Sequence, residues 1–599
     1  MITPMKKVTI LCIDSLKTKT LEELRSMGLL HVIHLQSPTG SDLNYAKAEL
    51  QRVQKAIDVV PSKVKKEVAP ITGSPDSLIS ELQNLIAERK EDEDTLAQMK
   101  VDLARYDVFG DFNPSQIEAL AEKGIFIRLF EAEKNKKPLP DDESALVQYY
   151  GKNSVADCFV VINRGEKPAD VKMANELRLP SLSLSEMKSK LSYAEKSLKK
   201  IESRLQEIAT VKSSLKEQLL DVSDDYNLKE VNAGMIQNSG IAMIQGFCPE
   251  PRLAELKAMA PKLGWGLKIE DPSEEEFVPT LLSYNKASRP MKFLYDIIGI
   301  SPGYHEMDVS LVFLAFFSVF FAMIVGDTVY GILFLIITLI AQAKLPKAPK
   351  AAFHFLILMS CTTIIWGFLN NSFLGFSPAA LDLAQKSFVP EFVRKAALWI
   401  REASNVQYLC FILAVIHLTI AHVWNFILRV KSRSTTAIAQ IGWLFSTWFM
   451  FFLASNMVLK KEMPEFAMPL FITGLVLIVL FMVQPKNIKK EWISFPMLIF
   501  DVINNFVDII SYIRLFAVGM AGVAIAQAFN MMLSPLFGSA VGIAVSVIAL
   551  FFVHCLNIAL GIMGVAVHAL RLNTLEFSNH LGLQWSGSEF TPFVKQKMN

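Results

Sequence analysis

The sequence predicts a mainly α protein: an N-terminal cytoplasmic dumbbell of two small α/β lobes joined by an antiparallel coiled-coil arm, then a C-terminal bundle of about eight transmembrane helices. Two observations indicate this fold class. The 599 residues are 52% hydrophobic, but long apolar runs begin only at Val309, after a charge-rich first half. Within that first half, apolar residues recur at steps of three and four, the spacing of coiled coils.

The two ends of the first half are predicted to fold together as a near lobe, formed by residues 1–37 and 231–275. Apolar segments typical of strands and a glycine-terminated helix indicate this lobe. The elements are a strand at 7–13, a helix at 16–27, a strand at 30–35 and the strand-like segment IAMIQGFCPE at 241–250.

Two coiled-coil arms, residues 38–105 and 181–230, are predicted to connect the near lobe to a distal lobe at 106–180. The distal lobe contains the strand-like segments GIFIRLFEA and DCFVVI. We expect the arms to pair antiparallel as a stiff spacer, because their apolar residues keep coiled-coil spacing between charged neighbours. That spacing is carried by Leu78, Leu82, Leu85, Leu96, Met99 and Leu103 in one arm, and by Leu191, Ala194, Leu198, Ile201, Leu205 and Ile208 in the other.

Composition and motifs exclude several classes of function. A net charge of +2 argues against a nucleic-acid-binding protein, which needs a basic surface. The chain has no GxxxxGK[ST], no GxGxxG opening a helix and no HExxH, so we expect no cofactor and no catalytic metal. The opening MITPMKKVTILCID lacks the features of a secretory signal, which predicts a cytoplasmic first half. Six scattered cysteines without CxxC indicate isolated reduced thiols.

The first apolar block, 309–341, decides the membrane topology. Gly326-Asp327 interrupts it, so it is either one long span or a two-helix hairpin. A hairpin keeps the basic loops on the cytoplasmic side, whereas a single span places them outside, against the positive-inside rule. We therefore predict eight spans with both termini cytoplasmic. The basic residues concerned are Lys344, Lys347, Lys350, Arg429, Lys431, Arg433, Lys486, Lys489 and Lys490.

A permanent charge lies near the middle of the apolar block 494–532. Arg514 cannot lose its proton, and placing it in the membrane costs roughly 2.5–3.5 kcal/mol on insertion scales. On a helix, Arg514 lies about 120° from Asp508, which shares a polar face with Asp501, Asn505 and Tyr512. Such charges mark ion or substrate paths, although an arginine paired within the bundle for structure alone remains an alternative.

The last apolar block carries a second polar face that ends in an arginine. Its members follow steps of three and four, and small residues among them allow another helix to approach closely. Arg571 could instead lie at the cytoplasmic interface, with its charged end reaching water. The residues of this face are His554, Asn557, Gly561, Gly564, His568 and Arg571. His417 and His422 on the fourth predicted helix are expected to form helix–helix hydrogen bonds.

Several motifs together resemble the membrane stator subunit of V/A-type (vacuolar/archaeal-type) rotary ATPases, called subunit a in eukaryotes and subunit I in bacteria and archaea. The resemblance runs nearly end to end through GFCPEPRLAEL, FAMIVGDTVYG, SYIRLFAVGMAG, HALRLNTLEF and GSEFTPF. The chain departs from the family at Val309, where proline is common, and at HLGLQWSG, which replaces a "KFYxG" stretch. Gly522 stands where eukaryotic members carry histidine, which favours the bacterial form.

The resemblance implies a stator that passes H+ or Na+ through two half-channels to a rotating ring, with no catalysis of its own. Residues 1–300 would form the cytoplasmic stalk-binding domain, and residues 301–599 the membrane domain, in a bacterial plasma membrane. Arg514 and Arg571 would face the ring carboxylates. The half-channel candidates are Asn505, Asp508, His554, Asn557, His568 and Glu576. The implied partners are the ring of small membrane subunits, peripheral stalk subunits, a central-stalk adaptor subunit and, indirectly, the ATPase head.

Two other classes of function fit parts of the sequence. A secondary transporter could place arginines at a midplane substrate site, but it is expected to show two similar halves, and no such repeat is visible. A membrane-anchored coiled-coil scaffold would explain the arms, but not two charged faces rich in small residues.

Overall fold

The computed structural model describes residues 2–61, 73–133, 137–142, 144–153, 156–238, 240–273, 275–346, 348–483 and 494–595. By proximity of its residues, the chain divides into two compact units. One comprises the N-terminus to Val8, Gly246–Met259 and Lys268–Pro592. The other comprises Thr9–Gln245, Ala260–Leu267 and the residues from Phe593 onward.

The first half contains α/β elements, as predicted. Its described strands are β1 (Met5–Ile13), β2 (His31–Ile33), β3 (Ile125–Ala132), β4 (Leu139–Pro140), β5 (Leu146–Lys152), β6 (Asp157–Arg164), β7 (Val171–Lys172), β8 (Asn175–Leu177), β9 (Ile236–Asn238), β10 (Ile241–Pro249) and β11 (Gly266–Glu270). Its described helices are α1 (Lys17–Met27), α2 (Ser41–Asp58), α3 (Pro75–Tyr106), α4 (Pro114–Glu122), α5 (Leu184–Ile208), α6 (Lys212–Gly234) and α7 (Leu253–Leu263).

The near-lobe elements are confirmed in position. Their sheet has the strand order β11-β1-β10-β2, and β9 pairs with β10. Gly28 ends α1 with a φ of 58°, and its N–H bonds to the Leu24 carbonyl. Glycine suits this left-handed position because it has no Cβ to clash. The predicted strand at 30–35 is shorter, spanning His31–Ile33.

The coiled-coil arms pair antiparallel, as predicted. Arg204 near the end of α5 bonds to Glu81 near the start of α3 at 2.6 Å. Lys188 near the start of α5 lies 3.1 Å from Asp107, just beyond the end of α3. A buried apolar cluster lies at the Arg204–Glu81 end of the arms, where α2 packs with α3 and α5, and such burial stabilises helices more than surface ion pairs do. It includes Val53, Ile57, Leu78, Leu82, Ile201, Leu205 and Ile208.

A second, antiparallel sheet forms at the predicted distal lobe, with the strand order β5-β6-β3-β8. Helix α4 packs on β3. The cysteines Cys12, Cys158, Cys248, Cys361, Cys410 and Cys555 are free, and burial raises the pKa of the Cys248 thiol to about 11. The domain boundaries inferred from the sequence remain predictions.

The second half is almost entirely helical. Its described helices are α8 (Met291–Ile298), α9 (Ser310–Val325), α10 (Thr328–Lys344), α11 (Lys350–Asn370), α12 (Glu391–Ile400), α13 (Ala403–Lys431), α14 (Ala437–Leu459), α15 (Ala467–Phe481), α16 (Ser494–Ser511), α17 (Ile513–Leu533), α18 (Ala540–Gly564) and α19 (Ser578–Leu581).

Several of these helices are candidate membrane spans. Within the described ranges, five helical stretches are long and apolar enough to cross a membrane, and three apolar helices are shorter. The long ones are Lys350–Asn370, Ala403–Lys431, Ala437–Leu459, Phe495–Gly538 and Ala540–Leu581; the shorter ones are Ser310–Val325, Thr328–Lys344 and Ala467–Phe481. The mainly α fold class is confirmed, and the count of eight spans remains a prediction.

The chain reverses direction at Gly326-Asp327. Phe317, in the middle of α9, packs on Phe355 near the start of α11. Thr328, at the start of α10, instead contacts Gly367 near the end of α11. Helix α10 therefore runs antiparallel to α11, as the hairpin requires. Lys347, Lys486, Lys489 and Lys490, which entered the topology argument, lie outside the described residues.

Candidate functional site

The two predicted arginines meet on one carboxylate. Arg514 Nη2 donates to Glu576 Oε1 at 2.7 Å, and Arg571 Nε lies 3.4 Å from the same oxygen. The Glu576 side chain is only 4% exposed, against 26% for Arg514 and 54% for Arg571. Two guanidinium groups share one carboxylate, so the three side chains together carry one net positive charge when Glu576 is ionised.

A local tightening of the helix orients Arg514. Between α16 and α17, the Leu515 N–H bonds to the Tyr512 carbonyl, three residues back, instead of to Ser511. The Ser511 carbonyl then accepts a bond from Arg514 Nε at 2.9 Å. The Ser511 hydroxyl lies 3.3 Å from Glu576 Oε1. This irregular turn therefore holds both members of the ion pair.

A local widening of the helix orients Arg571 and Glu576. Val565–Ala569 and Leu572–Phe577 are π-helical. In a π-helix, bonds run from residue i to i+5, so residues five apart lie close to one face. Glu576 follows Arg571 by five and meets it. Regular α geometry would turn the two apart by about 140°. π-Helical turns recur at functional sites.

Asp508 lies on the wall of an open, polar cavity of about 670 Å³, here called the Asp508 cavity. Its carboxylate lies 3.0 Å from His580 Nε2, and His580 Nδ1 lies 3.1 Å from His422 Nε2. His422 Nδ1 contacts the Gln440 amide oxygen at 3.2 Å, which confirms its predicted helix–helix bond. Arg571 lines the same cavity.

Asn505 also lines the Asp508 cavity, but its amide is engaged between helices. It is 1% exposed, and its side chain lies 3.2–3.3 Å from the Thr447 hydroxyl of α14. The sequence placed it among the half-channel candidates. The structure shows a helix–helix contact here, and a role in the channel remains a prediction.

Asn557 and His568 lie elsewhere, along a groove of about 400 Å³ between α17 and α18, and His554 lies against Tyr330, which lines that groove. His554 Nδ1 lies 2.8 Å from the Tyr330 hydroxyl, and Asn557 Nδ2 donates to Tyr330 and to the Gly522 carbonyl. A Cβ at Gly522 would lie 3.1 Å from Asn557 Oδ1, so glycine leaves room for this amide. The remaining wall is rich in small residues: Ala517, Ala521, Gly561 and Gly564.

A third cavity, of about 400 Å³, lies beside α17 and the loop that follows α11, here called the Asp382 cavity. Asp382, 2% exposed, pairs with Arg401 at its wall. Burial raises the pKa of this carboxyl, but bonds from Arg401 and the Ala384 N–H outweigh burial and lower it below its ordinary value. Leu515 and Phe516, next to Arg514, line the same cavity.

Sequence reasoning missed two contacts of this arrangement and the position of a third residue. His580 lies nine residues after Arg571, where α-helical spacing places it on the opposite side from the last polar face. The periodicity of the sequence therefore did not indicate it. Asp382 and Arg401 lie on either side of α12, so no single helical repeat connects them. Glu576 was a half-channel candidate, and the structure places it between the arginines.

The fold and site define a multi-pass membrane protein in which two arginines meet on one buried carboxylate. No protein-family model matches the chain. The V-type ATP synthase subunit I of Borreliella burgdorferi is 30% identical over 616 residues and covers 100% of both chains. The V-type ATP synthase subunit I 1 of Treponema pallidum is 28% identical, covering 99% of this chain and 100% of that protein. The A-type ATP synthase subunit I of Pyrococcus abyssi is 26% identical over 55% of this chain and 50% of its own.

A crystal structure of the cytoplasmic N-terminal domain of subunit I, homolog of subunit a, of V-ATPase covers 44% of this chain and 99% of its own. That structure is 13% identical to this chain, with a TM-score of 0.22. The Borreliella burgdorferi protein matches this chain over its full length at 30% identity, which shows that the chain belongs to the V/A-type ATP synthase subunit I family. It is thus a non-catalytic membrane subunit of a rotary ATPase and assembles with other subunits of that complex.

Proposed function

We propose that this chain is the stator that carries the ion half-channels of its rotary ATPase, with Arg514 as the fixed charge between them. The observation that carries the proposal is the Arg514–Glu576–Arg571 cluster. Arg571 opens onto the Asp508 cavity, and Leu515, next to Arg514, lines the Asp382 cavity. Two offset half-channels would each have to reach the fixed cation, and both of these cavities come up to the cluster.

The ring of small membrane subunits would pass along the groove between α17 and α18. Its small residues Ala517, Ala521, Gly561 and Gly564 let a helix approach closely. Arg514 lies one turn before Ala517 on α17, which brings its guanidinium within reach of a carboxylate on a passing helix. His554, Asn557 and His568 would provide polar groups along this path.

Arg514 would drive ion release through electrostatics. A nearby cation stabilises a carboxylate in its charged, ion-free form, so a ring carboxylate beside Arg514 gives up its bound H+ or Na+. The released ion leaves through one half-channel, and the next site loads from the other. Glu576 would hold Arg514 between successive ring carboxylates, since it already bonds to the same guanidinium. Arg571 would share this exchange from the side of the Asp508 cavity.

The remaining assignments follow from this role. Residues 1–300 would bind the peripheral stalks, through the lobes and arms, and hold the ATPase head still. A central-stalk adaptor subunit would connect the ring to the rotor. Residues 301–599 would form the membrane domain in a bacterial plasma membrane, with eight spans and both termini in the cytoplasm.

Purification of the intact complex tests this function. An affinity tag on this chain, extracted in mild detergent, should recover a P-loop ATPase head and a small ring protein in one assembly. Removing residues 1–300 should release the head and stalks but leave the ring attached to the membrane domain. Recovery of the chain without ring protein under conditions that preserve the ATPase head would contradict the proposal.

A further inference from the structure

A buried Tyr–His pair lies next to the arginine cluster, since Tyr512 is two residues before Arg514. Tyr512 is fully buried, and its hydroxyl lies 2.8 Å from Nδ1 of His417 on α13. His417 is also fully buried. A hydrogen bond in such surroundings is not weakened by competing water, so it fixes both side chains.

Aromatic rings clamp the His417 imidazole on both faces. Phe316 of α9 stacks on one face at 3.9 Å between centroids, with the planes 14° apart. Phe577 stacks on the other at 4.2 Å and 8°. The stacking fixes the plane of the imidazole, and the bond to the Tyr512 hydroxyl fixes which edge of the ring carries Nδ1.

These contacts connect His417 to both halves of the ion pair. Tyr512 is two residues before Arg514, and its carbonyl takes the Leu515 N–H, which frees the Ser511 carbonyl for Arg514 Nε. Phe577 directly follows Glu576 within the same π-helical segment. One side chain thus links the turn that orients the cation with the turn that orients the anion.

We propose that His417 and Tyr512 are a positioning pair that sets Arg514 against Glu576. The pair makes no contact with a transported ion. It fixes the tightened turn at Tyr512, and through it the direction in which the guanidinium projects. This inference rests on the function proposed above for Arg514.

The surroundings of His417 favour positioning over proton conduction. Its Nε2 has no hydrogen-bond partner among the residues that the structure describes. The neighbours on its two faces and at its edge are the rings of Phe316, Phe577 and Phe320. A proton delivered to this imidazole would have no onward acceptor there.

The proposed role of the His417–Tyr512 pair is tested by removing the hydroxyl or the imidazole in the intact ATPase. Tyr512→Phe removes only the hydroxyl, and His417→Phe keeps an aromatic ring between the two stacked rings. With assembly unchanged, each should lower ATP-driven ion uptake into vesicles about three- to tenfold, the range expected from losing one buried hydrogen bond. The double variant should be no worse than either single variant, because the two residues act as one unit.

The matched control is Tyr295→Phe, which deletes another buried tyrosine hydroxyl, at the edge of Phe313 and Trp585. It should transport normally. The pH profile of uptake should keep its optimum in His417→Phe, since a positioning residue carries no proton. A shift of the pH optimum in His417→Phe would indicate that His417 carries protons and would overturn the inference.

Failure of this inference differs from failure of the proposed function. Normal uptake by Tyr512→Phe and His417→Phe, with Arg514→Ala inactive, would overturn the positioning pair alone. Full uptake by assembled Arg514→Ala would overturn the proposed function. If His417→Phe does not assemble, Tyr512→Phe decides the matter, because it leaves the ring packing intact.

Discussion

Arg514 and Arg571 approach the same carboxylate oxygen of Glu576 from helical segments that deviate from α geometry in opposite senses. The segment at Arg514 is tightened, so a freed carbonyl of Ser511 binds the side chain as well. The segment at Arg571 is widened into π-helix, and the side chain lies at 3.4 Å and half exposed. One arginine is held by several bonds, and the other touches Glu576 from the edge of a cavity.

This difference teaches how one site can combine a fixed charge with an adjustable one. A guanidinium fixed in place costs no reorganisation when charge arrives beside it. A half-exposed guanidinium is solvated and can change partner at low cost. We therefore propose that Arg514 separates the two half-channels and that Arg571 exchanges with the Asp508 cavity.

The largest effect among charge-conserving changes is expected for Arg514→Lys. Lysine keeps a nominal charge, but it lacks the planar fork that bonds to Ser511 and Glu576 together, and its pKa falls readily in a poorly hydrated site. ATP-driven uptake should fall at least about tenfold, because charge-assisted hydrogen bonds worth about 1.5–3 kcal/mol are lost. Arg289→Lys, at an exposed arginine before α8, is the control and should transport normally.

Glu576→Gln is expected to slow the enzyme while leaving it coupled. The amide keeps the shape but cannot compete for Arg514 as a carboxylate does, so a ring carboxylate stays longer on the guanidinium. Uptake should fall about three- to tenfold, and the ratio of ions moved to ATP hydrolysed should stay at the wild-type value. A fall in that ratio would show that Glu576 helps to seal the path, which contradicts this role.

Arg571→Ala should have the smallest effect of the three. Arg571 itself is half exposed and lies 3.4 Å from Glu576, so water weakens this contact to at most about 1 kcal/mol, which corresponds to a change in uptake of up to about fivefold. Water in the Asp508 cavity can take the place of the side chain. Measurement of uptake at several salt concentrations checks this reason, because a screened charge should matter less at high salt. A loss equal to that of Arg514→Lys would remove the distinction between the two arginines.

The sequence predicted those features that regular periodicity encodes. Coiled-coil spacing placed α3 against α5, apolar blocks placed the long helices, and Gly326-Asp327 marked the chain reversal. Arg514 and Arg571 were identified because a charge in an apolar block is conspicuous. Each of these signals depends on residues close in sequence or on one repeated step.

The contacts that sequence reasoning missed form where the helix departs from the regular α-helical repeat. The polar face ending at Arg571 was drawn with about 100° per residue, and the π-helical turns rotate everything after Val565 away from it. Glu576 therefore reaches the arginines, and His580 reaches Asp508, from positions that an α-helix would not give them. Tyr512 was assigned to a polar face, whereas its hydroxyl is satisfied inside the bundle by His417.

The most direct test of the central claim is ATP-driven ion uptake by vesicles that contain the Arg514→Ala enzyme, with assembly of the complex checked in parallel. Without a fixed charge between the cavities, ions should leak back, and each one dissipates about 2.3 kcal/mol per 100 mV of membrane potential. We predict a fully assembled enzyme that hydrolyses ATP and accumulates no ions. Wild-type uptake by assembled Arg514→Ala enzyme would contradict the account and leave Arg514 as a structural partner of Glu576.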